Sequence, residues 1–221
     1  MDGSALTALD AEFSSGQHGC VDGMLIVKNG YIVYEKSYAP DYASLFQGRG
    51  GNRGLYDYYD PGWHPYYAKT DLHTLQSITK SVTSALIGIA IEKGALPGVD
   101  LKLLPFFEEF SLPDSDPRLD AMTLRDVLTM TVGIRWDESG SYTDPTNLCA
   151  VMEQSDDWVQ FVLDQPMAED PGKTFLYNSG AAQLLSYIIN KATSMQADDL
   201  AAEYLFKPLG IERYFWKRTP T

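Results

Sequence analysis

The chain has little of what would indicate a metalloprotein or a disulfide-rich domain. Its 221 residues include only two cysteines, Cys20 and Cys149, which lie far apart and form no CxxC spacing. Neither a zinc site nor a disulfide framework is therefore predicted. The three histidines include no i, i+4 pair of the kind that binds metal on a helix. We expect no bound metal and no cofactor.

Basic residues and long apolar runs are also scarce. There are 17 lysines and arginines against 30 aspartates and glutamates, a formal net charge of -13. Such a surface repels phosphate backbones and anionic lipid, so we expect no nucleic-acid partner. No apolar run is long enough to span a bilayer, and residues 1–19 lack the basic and apolar segments of a signal peptide. The chain as given is therefore expected to be cytoplasmic.

Apolar content is ample, however, and its pattern predicts a core. Hydrophobic residues make up 44% of the chain and aromatic residues 12%, which is enough for a sizeable core. A helix is predicted to begin near Ser4. Residues 24–35 then form two β-branched, aromatic-rich runs around Asn29-Gly30, a pair that is typical of a tight hairpin turn. We expect two antiparallel strands here, which need further strands for independent stability.

Helical patterns dominate the remainder of the chain. A helix over residues 75–93 should end at Gly94, because glycine readily adopts a left-handed C-cap. Residues 82–91 are apolar on nearly every face, which predicts a helix buried at the centre of the domain. Thr123 and Asp126 resemble a capping box that opens a helix ending around Gly133. Further helices are predicted over residues 156–163, 183–192 and 197–206.

Residues 39–70 differ in texture from both regions. Glycines and prolines alternate there with tyrosines and tryptophan, which predicts a long irregular loop. Trp63 and Tyr66 are candidate substrate-binding residues if the aromatics line a cleft. Alternatively, these side chains cover apolar surface that the sheet does not hide, because aromatic residues dominate burial in both settings.

The chemistry that the sequence indicates begins at Ser77 and Lys80. A serine hydroxyl needs an adjacent base to become a nucleophile, and residues at i and i+3 on a helix share one face. The unpaired N–H groups at the helix start would stabilise an oxyanion. We expect burial to make the neutral Lys80 amine accessible. If Lys80 stays charged, it would instead favour the phenolate form of a nearby tyrosine, which would then be the base.

Residues 75–88, 123–134, 171–180 and 205–211 are four ordered segments. Together they resemble the β-lactamase-related serine hydrolases, a superfamily of class C β-lactamases, D-alanyl-D-alanine carboxypeptidases and related esterases. Residues 75–88 resemble the nucleophile helix with its SxxK motif, and residues 123–134 resemble the following helix and turn. Residues 171–180 are similar to the Tyr-x-Asn region, and residues 205–211 to the segment after it. Together the segments extend over nearly the whole chain.

The resemblance implies an α+β fold, with an antiparallel sheet flanked by helices and a mostly helical subdomain. We expect one domain over residues 1–221, with the helix, hairpin and aromatic loop in 1–70 and the helical part in 71–221. In the family a later strand supplies a Lys-Thr-Gly or His-x-Gly motif. No counterpart occurs before Thr221, so the C-terminal strands are expected to be missing and the domain incomplete.

The resemblance also implies roles for individual residues. Ser77 would form the acyl-enzyme and Tyr177 would share proton transfer with Lys80. Asn178 and Ser179 are candidate substrate-binding residues, although Ser179 replaces the Asn of the motif. The substrate would be a small ester, amide or D-amino-acid peptide, and family members are often exported to the periplasm or beyond. The alternative is a non-catalytic or truncated member that acts as a ligand-binding module.

Overall fold

A computed structural model describes residues 3–19, 21–38, 72, 75–112, 116–142 and 144–219. These residues belong to two compact units. The first unit holds an N-terminal helix and a hairpin, and the second holds the helical remainder. A small antiparallel sheet together with several helices confirms the predicted α+β class. In the part of the chain described, no helix combines the length and apolarity needed to cross a membrane.

The first unit consists of helix α1, Gly3–Ser14, and strands β1, Gly23–Lys28, and β2, Tyr31–Ser37. The strands pair antiparallel around the predicted turn, where Asn29 and Gly30 have φ values of 53° and 78°. Positive φ at both central residues is the geometry that matches the twist of a hairpin. The predicted hairpin is therefore confirmed, with a bulge that follows Ile26.

One carboxylate ties helix α1 to the hairpin. Asp10 accepts hydrogen bonds from Lys36 Nζ at 2.7 Å and from Tyr38 OH at 2.8 Å. The hydrogen bond from Lys36 and then that from Tyr38 lower the pKa of Asp10. The Phe13 ring meets the Tyr38 ring edge to face, with centroids 5.7 Å apart. The helix and hairpin thus share both a polar and an aromatic contact.

The second unit opens with a 3-10 turn, Gln76–Ile78, that leads directly into helix α2. Further 3-10 turns lie at Leu104–Phe107 and Leu119–Ala121, and a π-helical turn at Ala202–Phe206. The α-helices of this unit are α2 Thr79–Glu92, α3 Leu124–Leu128, α4 Leu148–Glu153, α5 Trp158–Leu163, α6 Ser179–Thr193 and α7 Ala197–Ala201.

Helix α6 lies at the centre of the second unit. It packs against α2, α3, α4, α5 and α7, and its apolar stripe recurs at helical spacing, as expected for a helix that is covered on one broad face. The position of its N-terminus is consequently determined by several neighbours at once. Its buried residues are Gly180, Ala181, Leu184, Leu185, Ile188 and Ile189.

Helix α2 is less buried than the sequence predicts. One face carries Leu86, Ile87 and Ala90 into the core, whereas the opposite face, formed by Ser81, Ser84, Ala85 and Gly88, is exposed. The prediction of a helix buried on all sides is therefore wrong. Small side chains have little apolar area, so a helix face that they form can be exposed at little cost in free energy. The predicted end at Gly94, with φ 75°, is confirmed.

Helix boundaries follow the caps. Thr123 and Asp126 form the predicted capping box. Helix α3 nevertheless ends at Leu128, well before Gly133, because Met130 adopts φ 56° and reverses the chain. Helix α6 begins at Ser179, earlier than predicted, because Asn178 caps it. Helix α4, capped by Asn147, was not predicted.

Close packing at Gly180 gives a test of this arrangement. A Cβ at position 180 would lie 2.5 Å from Trp136 Cη2 and 2.7 Å from Val162 Cγ2, both of them buried side chains. We expect Gly180→Ala to lower the free energy of unfolding by about 1–3 kcal/mol, the cost of overpacking a core. The measurement is urea unfolding with an unchanged m-value.

Gly88→Ala is the matched control for this substitution. Position 88 lies in helix α2 and has no atom within 4 Å of the added Cβ. Alanine there should raise the free energy of unfolding by roughly 0.5–1 kcal/mol, since glycine weakens a helix interior. Equal stability of Gly180→Ala and the wild type would contradict the close contact with Trp136.

Candidate active site

Ser77 stands on the 3-10 turn that precedes helix α2, with its side chain exposed. The residue before it, Gln76, has φ 43°. A side chain other than glycine pays a steric penalty at positive φ, of about 1–2 kcal/mol. Such strained positions persist only where the surrounding structure holds them, and they are concentrated at functional sites. Ser77 is therefore presented on a turn whose shape is imposed by the fold.

Lys80 lies one helical turn after Ser77. Its Nζ donates a hydrogen bond to Ser77 Oγ at 3.2 Å, the contact that the i, i+3 spacing predicts. The same Nζ lies 5.1 Å from the centroid of the Tyr177 ring, within the range of a cation–π contact. Lys80 thus touches both a hydroxyl and an aromatic ring.

Tyr177 contacts Ser77 and Lys80 from a segment that is distant in sequence. Its hydroxyl donates to Ser77 Oγ at 2.8 Å, across 100 residues of chain. The preceding residue is held in place by the Leu176 N–H, which donates to the Met130 carbonyl at 2.9 Å. Tyr177 is 38% exposed, so the hydrogen-bonded pair that it forms with Ser77 faces solvent.

The Tyr177 hydroxyl is electrostatically biased toward its phenolate form. Burial raises the pKa of Tyr177, but the hydrogen bonds to Ser77 and Lys80 together with the charge of Lys80 outweigh it. The net result is a pKa below the ordinary tyrosine value. A cation beside a phenol favours the charged form of that phenol, and this phenol is the closer of the two groups that donate to Ser77 Oγ.

Residues 15–221 match the beta-lactamase family. The chain belongs to this family. The match confirms the resemblance drawn from the four sequence segments. No curated protein matches the chain.

Solved structures of this kind share the fold at low sequence identity. An octameric penicillin-binding protein homologue from Pyrococcus abyssi has a TM-score of 0.62 at 22% identity, with 98% of this chain and 45% of that chain covered. A candidate 6-aminohexanoate-dimer hydrolase from Bacillus anthracis has a TM-score of 0.58 at 18% identity, with 86% of this chain and 45% of that chain covered. A candidate beta-lactamase from Bacteroides dorei DSM 17855 has a TM-score of 0.56 at 22% identity, with 96% of this chain and 52% of that chain covered. The chain spans about half the length of these structures.

The other residues expected around the site have different placements. Asn178 is fully buried, and its Oδ1 accepts a hydrogen bond from the Ala181 N–H as the N-cap of helix α6. Its Nδ2 has no hydrogen-bond partner among the described residues. A side chain without exposed surface is not available to a substrate, so the expectation for Asn178 is corrected to a capping role. Trp63 and Tyr66 lie outside the described residues.

Ser179 is bound to a residue that the sequence analysis missed, Glu138. The Ser179 hydroxyl donates to Glu138 Oε1 at 2.9 Å, and its N–H donates to Glu138 Oε2 at 3.0 Å. The hydroxyl proton is thereby engaged, and only the lone pairs of the oxygen remain for other partners. Glu138 lies 41 residues before Ser179 in an irregular segment, where no periodicity or motif spacing marks it.

A second carboxyl group near the site, Glu153, was also missed. Burial, and after it the charge of Glu138, raise the pKa of Glu153 to about 7 against the opposing charge of Lys80. Cys149, one turn earlier in helix α4, is buried, and its thiol pKa is raised to about 12 by burial and by Glu153. A thiol that stays protonated at neutral pH is a poor nucleophile, so we expect Cys149 to be unreactive.

Titration of Tyr177 tests the electrostatics. The difference in tyrosinate absorbance between the wild type and Tyr177→Phe should show a midpoint below about 10, the ordinary tyrosine value. In Lys80→Met the midpoint should rise, because the stabilising hydrogen bond and charge are lost and burial remains. Each midpoint comes from the difference between a protein and the same protein carrying Tyr177→Phe.

Lys93→Met serves as the control for the loss of a positive charge at helix α2, because Lys93 is the C-cap of this helix. Lys93 Nζ lies 3.5 Å from the centroid of the Tyr204 ring, not over Tyr177. Its removal should leave the Tyr177 midpoint unchanged. A wild-type midpoint at or above the ordinary value, or an equal response to both lysine substitutions, would show that Lys80 does not bias Tyr177.

Proposed function

We propose that the protein is a serine hydrolase that forms an acyl-enzyme on Ser77, with Tyr177 and Lys80 as the proton-transfer pair. The observation that carries the proposal is the convergence of Tyr177 OH and Lys80 Nζ on Ser77 Oγ, at 2.8 and 3.2 Å. A nucleophile and a base within hydrogen-bonding distance, oriented by a third group, is the arrangement that activates a hydroxyl. Membership in the beta-lactamase family supports the same class of reaction.

In the proposed reaction, Ser77 Oγ attacks the carbonyl carbon of the substrate and forms the C–O bond. Its proton passes to the Tyr177 phenolate as the carbonyl oxygen gains negative charge. Collapse of the tetrahedral intermediate breaks the bond to the leaving group, which takes the proton from Tyr177. Water then attacks the acyl-enzyme with Tyr177 again as base, so the acid is released and Ser77 regains its proton.

Tyr177 is the favoured base because of its contacts. Its oxygen lies nearer to Ser77 Oγ than Lys80 Nζ does, and its pKa is lowered by the hydrogen bonds and charge around it although burial acts in the opposite sense. Lys80 then acts as the cation that keeps the phenolate stable, which is one of the two roles that the sequence leaves open.

The proposed substrate is an ester, amide or D-amino-acid peptide with an apolar acyl group. Leu75 and Ile78 beside Ser77 are exposed, as are Phe175 and Leu176 beside Tyr177. Apolar side chains around a few polar groups are typical of small-molecule sites. The structural neighbour described as a 6-aminohexanoate-dimer hydrolase supports an amide bond as one possible target.

Covalent labelling tests the nucleophile. The full chain exposed to a fluorophosphonate or a β-lactam should gain one adduct, located on Ser77 by peptide mass spectrometry and lost in Ser77→Ala. Tyr177→Phe and Lys80→Met should slow the labelling by about 10²–10⁴-fold, the usual contribution of a general base. Turnover of p-nitrophenyl acetate should likewise be lost in Ser77→Ala and slowed in Tyr177→Phe and Lys80→Met.

Ser81→Ala provides the matched control, since Ser81 is an exposed serine one turn further along helix α2. It should label at the wild-type rate. If the intact chain acquires no Ser77 adduct and hydrolyses no simple ester, the acyl-enzyme proposal is wrong and the alternative of a non-catalytic ligand-binding member is supported.

A further inference from the structure

The carboxylate of Glu138 joins two separate parts of the second unit. Its Oε2 accepts hydrogen bonds from Trp136 Nε1 at 2.6 Å and from the Ser179 N–H at 3.0 Å. Its Oε1 accepts the Ser179 hydroxyl at 2.9 Å. Both donors of Ser179 therefore point to one side chain, and hydrogen bonds to an ionised acceptor are shorter and stronger than neutral ones.

We propose that Glu138 is a positioning residue that holds the first residue of helix α6 so that Tyr177 stays within reach of Ser77. The proposal deepens the function proposed above and rests on it. Ser179 follows Tyr177 by two residues, and the intervening Asn178 is buried as the helix cap. A shift of Ser179 would consequently move the Tyr177 hydroxyl, whose hydrogen bond to Ser77 Oγ tolerates little displacement.

The segment that carries Glu138 is itself anchored, so it provides a firm support. Asn147 Nδ2 donates to the Gly140 carbonyl at 2.8 Å and to the Glu138 carbonyl at 3.4 Å. The other end of the same amide, Asn147 Oδ1, accepts the Ala150 N–H and caps helix α4. Trp136 in turn packs against Gly180. The carboxylate thus connects one anchored segment to the start of helix α6.

The charge of Glu138 also raises the pKa values of three groups around the site: Cys149 and Glu153 on α4, and Tyr177. The cations of this cluster are Lys80 on α2 and Lys217 in the C-terminal segment, and both act to lower the pKa of Glu153. For Tyr177, burial, the Ser77 and Lys80 hydrogen bonds and the Lys80 charge act first, and Glu138 opposes the lowering of the pKa. Removal of that negative charge should therefore lower the Tyr177 pKa further.

Two substitutions separate position from charge. In Glu138→Gln, the amide oxygen can accept both N–H donors that Oε2 accepts, and the amide NH₂ can donate to Ser179 Oγ. The geometry is retained and the charge is lost. Glu138→Ala loses both. Asp137→Asn is the control for a charge change at the adjacent residue, because Asp137 is exposed and its carboxylate binds Ser139 rather than Ser179.

Kinetics on p-nitrophenyl acetate give the first readout. Glu138→Ala should lower kcat about 10- to 100-fold with KM changed less than about 3-fold, the effect expected for loss of a charge-assisted contact that acts through Tyr177. Glu138→Gln should stay within about 3-fold of the wild-type kcat, with the acidic limb of its pH profile moved to lower pH. Asp137→Asn should match the wild type in both.

The Tyr177 titration gives a second readout that does not require turnover. Both Glu138 variants lack the charge, so a difference between them reports position alone. The Tyr177 pKa should fall in Glu138→Gln and lie higher in Glu138→Ala, where displacement weakens the hydrogen bonds to Ser77 and Lys80. Equal Tyr177 pKa values in the two variants, or a wild-type kcat in Glu138→Ala, would overturn the proposal. Failure of the wild type to label at Ser77 would instead contradict the proposed function and leave this titration to decide the role of Glu138.

Discussion

The start of helix α6 packs so closely on Trp136 and Val162 that position 180 has no room for a side chain. Five other helices of the second unit contact this helix, so its N-terminus has a single position and direction. Tyr177 lies three residues before the contact, in a segment whose Leu176 N–H is bonded to Met130. The hydrogen bond between Tyr177 and Ser77 therefore depends on packing that involves neither residue.

The electrostatics of the site depend on charges brought together by the same packing. Burial and the charge of Glu138 raise the pKa of Tyr177, whereas the hydrogen bonds to Ser77 and Lys80 and the charge of Lys80 lower it. Burial and the charge of Glu138 also raise the pKa of Glu153, to about 7. These residues belong to separate elements of the second unit. In a chain with net charge -13, a lysine between acidic groups stabilises nearby anions, and the Tyr177 hydroxyl lies closer to Ser77 Oγ than Lys80 Nζ does.

Local features of the site and fold were predictable, and features that depend on tertiary packing were not. The Ser77–Lys80 contact follows from helical spacing, and the Asn29-Gly30 turn and the Thr123 capping box are formed within a few residues. Tyr177 was identified only through resemblance, because no local rule connects it with Ser77. Glu138 and Glu153 carry no periodic or motif signal, since their partners are distant in sequence. The exposed face of helix α2 was misjudged because small residues such as Ser84 and Gly88 were read as minor breaks in a buried helix, whereas they lie on its exposed face.

The two sides of Ser77 are held by different means, and together they explain why its hydroxyl is exposed and also lies close to Lys80 and Tyr177. On one side the chain enters helix α2 through Gln76 at positive φ, a conformation that costs free energy and directs Ser77 toward solvent. On the other side Tyr177 precedes a capped and centrally packed helix. The strained turn is supported by a helix that buries Leu86, Ile87 and Ala90. Because Ser77, Lys80, Tyr177 and Glu138 all belong to the second unit, the core that fixes helices α2 and α6 also fixes the distance between Ser77 Oγ and the Tyr177 hydroxyl.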